Sequence, residues 1–128
     1  MIRGIGGLFI YARNAPALVA WYKENLLLDF AFEASEGSHY KDFLLPTDPA
    51  YGRTEREVFA IRQAAAGAQI HPRQFVVNLR VRDLDEVLTH LRTCGASIQR
   101  TETYDYGRFA WISDLEGNEI ELFEPAEG

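Results

Sequence analysis

Phe75 to Gly95 reads FVVNLRVRDLDEVLTHLRTCG, and the order in which its patterns change sets the fold. Val77, Leu79 and Val81 alternate with Val76, Asn78 and Arg80, the period-2 signature of a strand with one apolar face. Asp83, with Glu86 three residues on, then opens a helix through LDEVLTHLRTCG, which Gly95 stops. Downstream, SIQRTETY, RFAWIS and EIELFE read as three further strands, the last two joined by DLEGN. The order is β-α-β-β-β.

The same order stands upstream at an offset of 69 residues, Gly7 corresponding to Val76 and Asn14 to Asp83. In GLFIYA, Leu8, Ile10 and Ala12 alternate with Gly7, Phe9 and Tyr11. Asn14 caps a helix with Pro16 in its first turn, and Leu18, Trp21, Tyr22 and Leu26 form its buried stripe. DFAFE and HYKDFLL are the next strands, PTDPAYGRTE is a loop, and EVFAIRQ closes the unit with Phe59 aligned on Glu121. Ile5 to Gln63 therefore duplicates Gln74 to Pro125, and AAAGAQIHP joins the two halves. The expected organisation is one domain, residues 1–128, with modules at 1–66 and 74–128.

At 128 residues and 47% hydrophobic content, the chain can bury one ordinary core. A net charge of −6 with 13 scattered basic residues speaks against a nucleic-acid surface. No apolar run reaches the roughly 20 residues that a membrane span needs, and the N-terminal stretch lacks a cleavage pattern, so the expected location is the cytoplasm. Cys94 is the only cysteine, which excludes an intrachain disulfide and a cysteine-based zinc site. It reads as a space filler near a helix end.

If Leu8, Ile10, Val77, Leu79, Ile120 and Leu122 lie under the helices, the other sheet face carries Phe9, Tyr11, Phe59, Asn78, Arg80, Phe109, Trp111, Glu121 and Phe123. Aromatic rings mixed with a few polar groups suit a concave small-molecule site better than a plain solvent face. The candidate ligand-binding residues are Phe59, Asn78, Arg80, Phe109, Trp111 and Glu121. A carboxylate in an apolar cup needs a partner, and Arg80, Arg108 or a cationic ligand is the expected complement of Glu121. The rings beside it favour flat or cationic ligands.

GGLFIYARNAPALVAWYKENLLLDF, and more specifically FVVNLRVRDLDEVLTHLRTCGA with DLEGNEIELFEP, resemble the two modules of the vicinal oxygen chelate superfamily. That superfamily includes glyoxalase I, extradiol dioxygenases, and fosfomycin- and bleomycin-resistance proteins. The resemblance covers nearly the whole chain and departs at Leu27, where a Gly usually ends the first helix. It implies an α+β fold of two βαβββ modules, forming a cup-shaped, mostly antiparallel mixed sheet with the helices on its outer face. It also implies a homodimer.

The superfamily's metal enzymes take one ligand from the first and last strand of each module. By the offsets above those positions are Gly7, Phe59, Val76 and Glu121, of which only Glu121 can bind a metal. His39, His71 and His90 fall on none of them. The expectation is no metal, no cofactor, and metal-independent binding or sequestration of an aromatic or cationic small molecule. The alternative is a glyoxalase-like lyase or isomerase, or a dioxygenase-related enzyme, with an atypical site in which Glu121 acts as a base.

Overall fold

A computed structural model of the chain describes residues 7–35, 37–45, 56–72 and 74–127. The first module runs β1 (Gly7–Ala12), α1 (Ala15–Leu26), β2 (Phe32–Ser35), β3 (Ser38–Leu44) and β4 (Arg56–Gln63). The second runs β5 (Val76–Arg80), α2 (Leu84–Thr93), β6 (Ile98–Tyr104), β7 (Gly107–Ser113) and β8 (Glu119–Pro125). Each module is a four-stranded mixed sheet, ordered β1-β4-β3-β2 and β5-β8-β7-β6. The outer first strand is parallel to the last, and the other pairings are antiparallel. The expected fold class is therefore the observed one. β2 begins later than DFAFE predicts because Phe30 is drawn into the core instead, and the expected loop PTDPAYGRTE lies outside the described residues.

The helices start where the sequence says. Asn14 accepts from Ala17 N at 3.1 Å, and Asp83 accepts from Glu86 N at 3.1 Å, satisfying donors that a helix leaves open. Their ends differ. Gly95 follows α2 in the left-handed region at φ 81°, where glycine has no Cβ to clash. α1 instead ends on Leu27 at φ 54°, a conformation unfavourable for a branched side chain, and that side chain is 73% exposed.

One apolar core lies on the helix side of both sheets. Ile10, Val77, Ile120 and Leu122 are buried there, with Leu8 and Leu79 packed at its margin, as the alternation predicts. The modules meet through α1. Its Tyr22 hydroxyl donates to Asp114 Oδ2 at 2.8 Å, in the turn between β7 and β8. From the same turn Glu116 accepts from Arg13 N at 2.7 Å and from Asn14 N at 2.9 Å, ahead of the first turn of α1. Buried Asp114 also takes Asn118 Nδ2 at 2.7 Å and the backbone amides of Glu116 and Asn118 at 2.9 Å. Cys94 caps α2 half-buried, its Sγ 3.6 Å from Glu24 O, consistent with space filling beside a helix end. Among the described residues no helix is long and apolar enough to cross a membrane.

Candidate functional site

Register decides which side chains share the helix-free face. β5 pairs with β8 so that Asn78 lies beside Glu121 and Arg80 beside Phe123. β7 then sets Trp111 beside Glu121 and Phe109 beside Phe123. Five of the six candidate residues therefore occupy one face of the second sheet. The sixth does not. Phe59 pairs with Leu8, not with Phe9, and is 3% exposed on the helix side against Tyr22 and Phe30, with ring centroids at 5.3 Å in both contacts. Val58-Phe59-Ala60-Ile61 is a continuous apolar run whose alternation is silent, so the sequence alignment slipped by one and inverted the face. The true counterpart of Glu121 in β4 is Ala60, which pairs with Phe9 as Glu121 pairs with Asn78.

Glu121 is held from within the sheet. Asn78 Nδ2 donates to its Oε1 at 2.7 Å and Trp111 Nε1 to its Oε2 at 3.0 Å, so both oxygens have a neutral donor. Neither expected arginine fills that role. Arg108 points to the helix side, where it meets Asp85 at 2.8 Å and Glu124 at 3.9 Å, and its hydrogen bond holds the Asp85 carboxyl below the usual carboxylate range. Arg80 reaches the same face as Glu121 at the outer edge of β5, beside Phe123, and no ion pair joins it to Glu121.

A sheet of rings surrounds the carboxylate. Phe109 stacks on Trp111 at 5.7 Å and on Phe123 at 4.7 Å, and meets Tyr104 and Tyr106 edge-on at 5.8 Å. Tyr104 and Tyr106 stack on each other at 5.4 Å, and both are exposed. Trp111, only 8% exposed, carries the Arg100 guanidinium over its ring at 4.0 Å. Sequence reasoning missed Arg100, Tyr104 and Tyr106. The signal was available in β6, where Arg100 and Tyr104 lie two alternations apart on the strand paired to β7. A separate groove of about 660 Å³ is lined from both modules, by Leu26, Leu28 and Phe43 of the first and Val81 and Val87 of the second among others, and it includes Asn78 and Arg80 but not Trp111 or Glu121.

Solved structures share this architecture across the whole chain. A glyoxalase/bleomycin resistance protein from Catenulispora Acidiphila DSM 44928 is similar at 22% identity and TM-score 0.66, over 96% of this chain and 100% of that one. The chain therefore has the glyoxalase/bleomycin resistance protein fold. Lactoylglutathione lyase from Agrobacterium tumefaciens superposes with TM-score 0.65 at 15% identity, over 94% and 92% of the two chains. TnmS3, an antibiotic binding protein from Streptomyces sp. CB03234, superposes with TM-score 0.61 at 18% identity, over 98% of each. No family model matches the sequence, and no curated protein matches it.

The four positions that the sequence resemblance implies for a metal, with the register corrected, fall on Gly7, Ala60, Val76 and Glu121. Three of these side chains offer no lone pair, so the set does not fit a divalent ion. Gly7 cannot be refilled without moving backbone, since a Cβ there would strike the Val58 carbonyl oxygen. Among the described residues no three His, Cys, Asp or Glu side chains converge to hold a metal. The histidines are spread apart and engaged elsewhere: His90 Nε2 lies 2.8 Å from Glu24 O, His39 lies 4.0 Å from Glu33, and His71 sits in the connector.

Proposed function

We propose that this chain, a vicinal oxygen chelate-fold protein, binds a flat aromatic small molecule on the helix-free face of its second module and performs this role without a metal. The observation that carries the reading is Glu121, fixed by Asn78 and Trp111 at the end of an aromatic layer whose outer members, Tyr104 and Tyr106, are exposed. Rings supply stacking area at little entropic cost, and the fixed carboxylate supplies an orienting acceptor. A cationic ligand competes with Arg100 for the Trp111 ring, so an aromatic ligand whose N–H or O–H groups reach Glu121 fits the arrangement better. The antibiotic-binding role of the structurally similar TnmS3 is compatible with this reading. The proposed assembly is a homodimer, as the sequence resemblance implies, with β1, β2, β5 and β6 as edge strands open to pairing, and light scattering of the purified protein tests it.

The test of binding is a screen of flat aromatic compounds read by tryptophan fluorescence and thermal shift, followed by titration of Trp111→Ala and Glu121→Gln. Each substitution is expected to cost about 1 kcal/mol or more of binding, roughly a fivefold weaker affinity. Hits with unchanged affinity in both variants would place the site elsewhere.

A further inference from the structure

The first module turns a face of opposite character to solvent. On it, Phe9 and Tyr11 from β1 stand beside Ala60 and Arg62 from β4, and β3 adds Ser38 and Tyr40. The Arg62 guanidinium lies over the Phe9 ring at 4.6 Å, donates through Nη2 to the Tyr40 hydroxyl at 3.3 Å, and has the Tyr11 hydroxyl beside it. Its Nε is buried with no hydrogen-bond partner among the described residues. Among those residues no carboxylate pairs with Arg62 either: Asp42, on the same face, is taken by Arg56 at 3.1 Å. An arginine that always carries its charge is thus positioned by two phenols and a ring, with no counter-ion among the described residues, in a chain of net charge −6.

We propose that this face is a second binding site, for a small aromatic carboxylate whose oxygens meet the edge of the Arg62 guanidinium while its ring lies against Phe9 and Tyr11. Guanidinium and carboxylate match as a planar fork, the pairing that gives charge-assisted hydrogen bonds both strength and direction. Phe9 is 44% and Tyr11 54% exposed, so apolar ring area stands ready next to the charge. The neighbouring Tyr11 hydroxyl can donate to an oxyanion as well as accept from Arg62. This site is separate from the Glu121 face, and either can fail without the other.

Benzoate is the probe and benzamide, equal in shape but uncharged, the control. The readout is the NMR signals of Phe9 and Tyr11, followed during titration of the intact chain. Saturable shifts at both residues with benzoate, and none with benzamide, are expected. Arg62→Gln should weaken benzoate on the order of tenfold or more. Arg62→Lys keeps the charge, loses the fork, and should lie between; it also carries the test if the glutamine variant does not fold. Glu121→Gln should leave benzoate affinity unchanged. The proposal is overturned by equal binding of benzamide, by shifts confined to the second module, or by undiminished benzoate affinity in the Arg62 variants.

Discussion

The two modules share one backbone plan and differ at almost every position of the face that the plan exposes. Phe9, Ala60 and Tyr40 occupy the places taken in the second module by Asn78, Glu121 and Trp111, and Tyr11, Arg62 and Ser38 stand where Arg80, Phe123 and Phe109 stand. One module centres a cation between tyrosines and a phenylalanine, the other an anion between an amide and an indole. On the buried side the counterparts stay apolar, Ile10 with Leu79 and Phe59 with Ile120. Packing constrains the inner face through volume and burial, whereas the outer face is free to hold any chemistry that strand alternation will present. Duplication here specifies a scaffold, and each face needs its own functional argument.

The second module supports the first through the turn between β7 and β8, and the largest expected effect tests that asymmetry. Asp114→Ala strands the Tyr22 hydroxyl, the Asn118 amide and two backbone N–H groups at a buried junction, and should cost about 3 kcal/mol or more in urea denaturation. A loss under about 1 kcal/mol would mean that the modules stand independently.

A smaller effect separates the helices. Tyr22 on α1 and Leu91 on α2 are both fully buried and lie 69 positions apart, yet only the first can ionise. Burial, reinforced by the Asp114 carboxylate, raises the Tyr22 pKa well above 10.0. Its proton is therefore held in the folded state after the unfolded chain has lost it. That contribution to stability is complete below about pH 10 and is lost above it, by up to about 1.4 kcal/mol per pH unit. Tyr22→Phe should abolish this part of the alkaline fall, leaving the slope of the remaining tyrosines, as measured by denaturation at pH 9 to 11.

The smallest expected effect has the opposite sign. Leu27→Gly gives α1 the exit that Gly95 gives α2. Relief of the left-handed strain exceeds the added freedom of the unfolded glycine, for a net stabilisation of about 0.5 kcal/mol visible as a raised melting temperature. A drop in stability would show that the exposed Leu27 side chain has a packing role.

Much of this is legible in the sequence. The strand-cap-helix series in each half, closed by Gly95 in the second, sets the element order, and alternation in FVVNLRV and EIELFE puts Val77, Leu79, Ile120 and Leu122 inward and Asn78 and Glu121 outward. The face of Phe59 is not legible there, because four consecutive apolar residues carry no period and only pairing with β1 fixes their register. Of the complements expected for Glu121, the two arginines are not its partners within the chain: the cross-strand neighbours are an amide and an indole, and neighbourhood outranks formal charge when the register is set. DLEGN announced a turn. Nothing local announced that its carboxylates would cross to another module's helix, because that contact is a property of the assembled chain.

That crossing has a temporal side. The bond from Arg13 N to the Glu116 carboxylate joins residues 103 apart in sequence, and Tyr22 waits 92 residues for Asp114. During synthesis from the N-terminus, α1 can coil and collapse onto its own sheet long before its clamp has been made. It does so with the amides of Arg13 and Asn14 and a core phenol still lacking their final acceptors. The turn before the last strand thus closes the first half as well as the second, so a chain truncated before Asp114 loses more than one module's worth of structure, and the final stretch of translation converts a loose early half into a locked one.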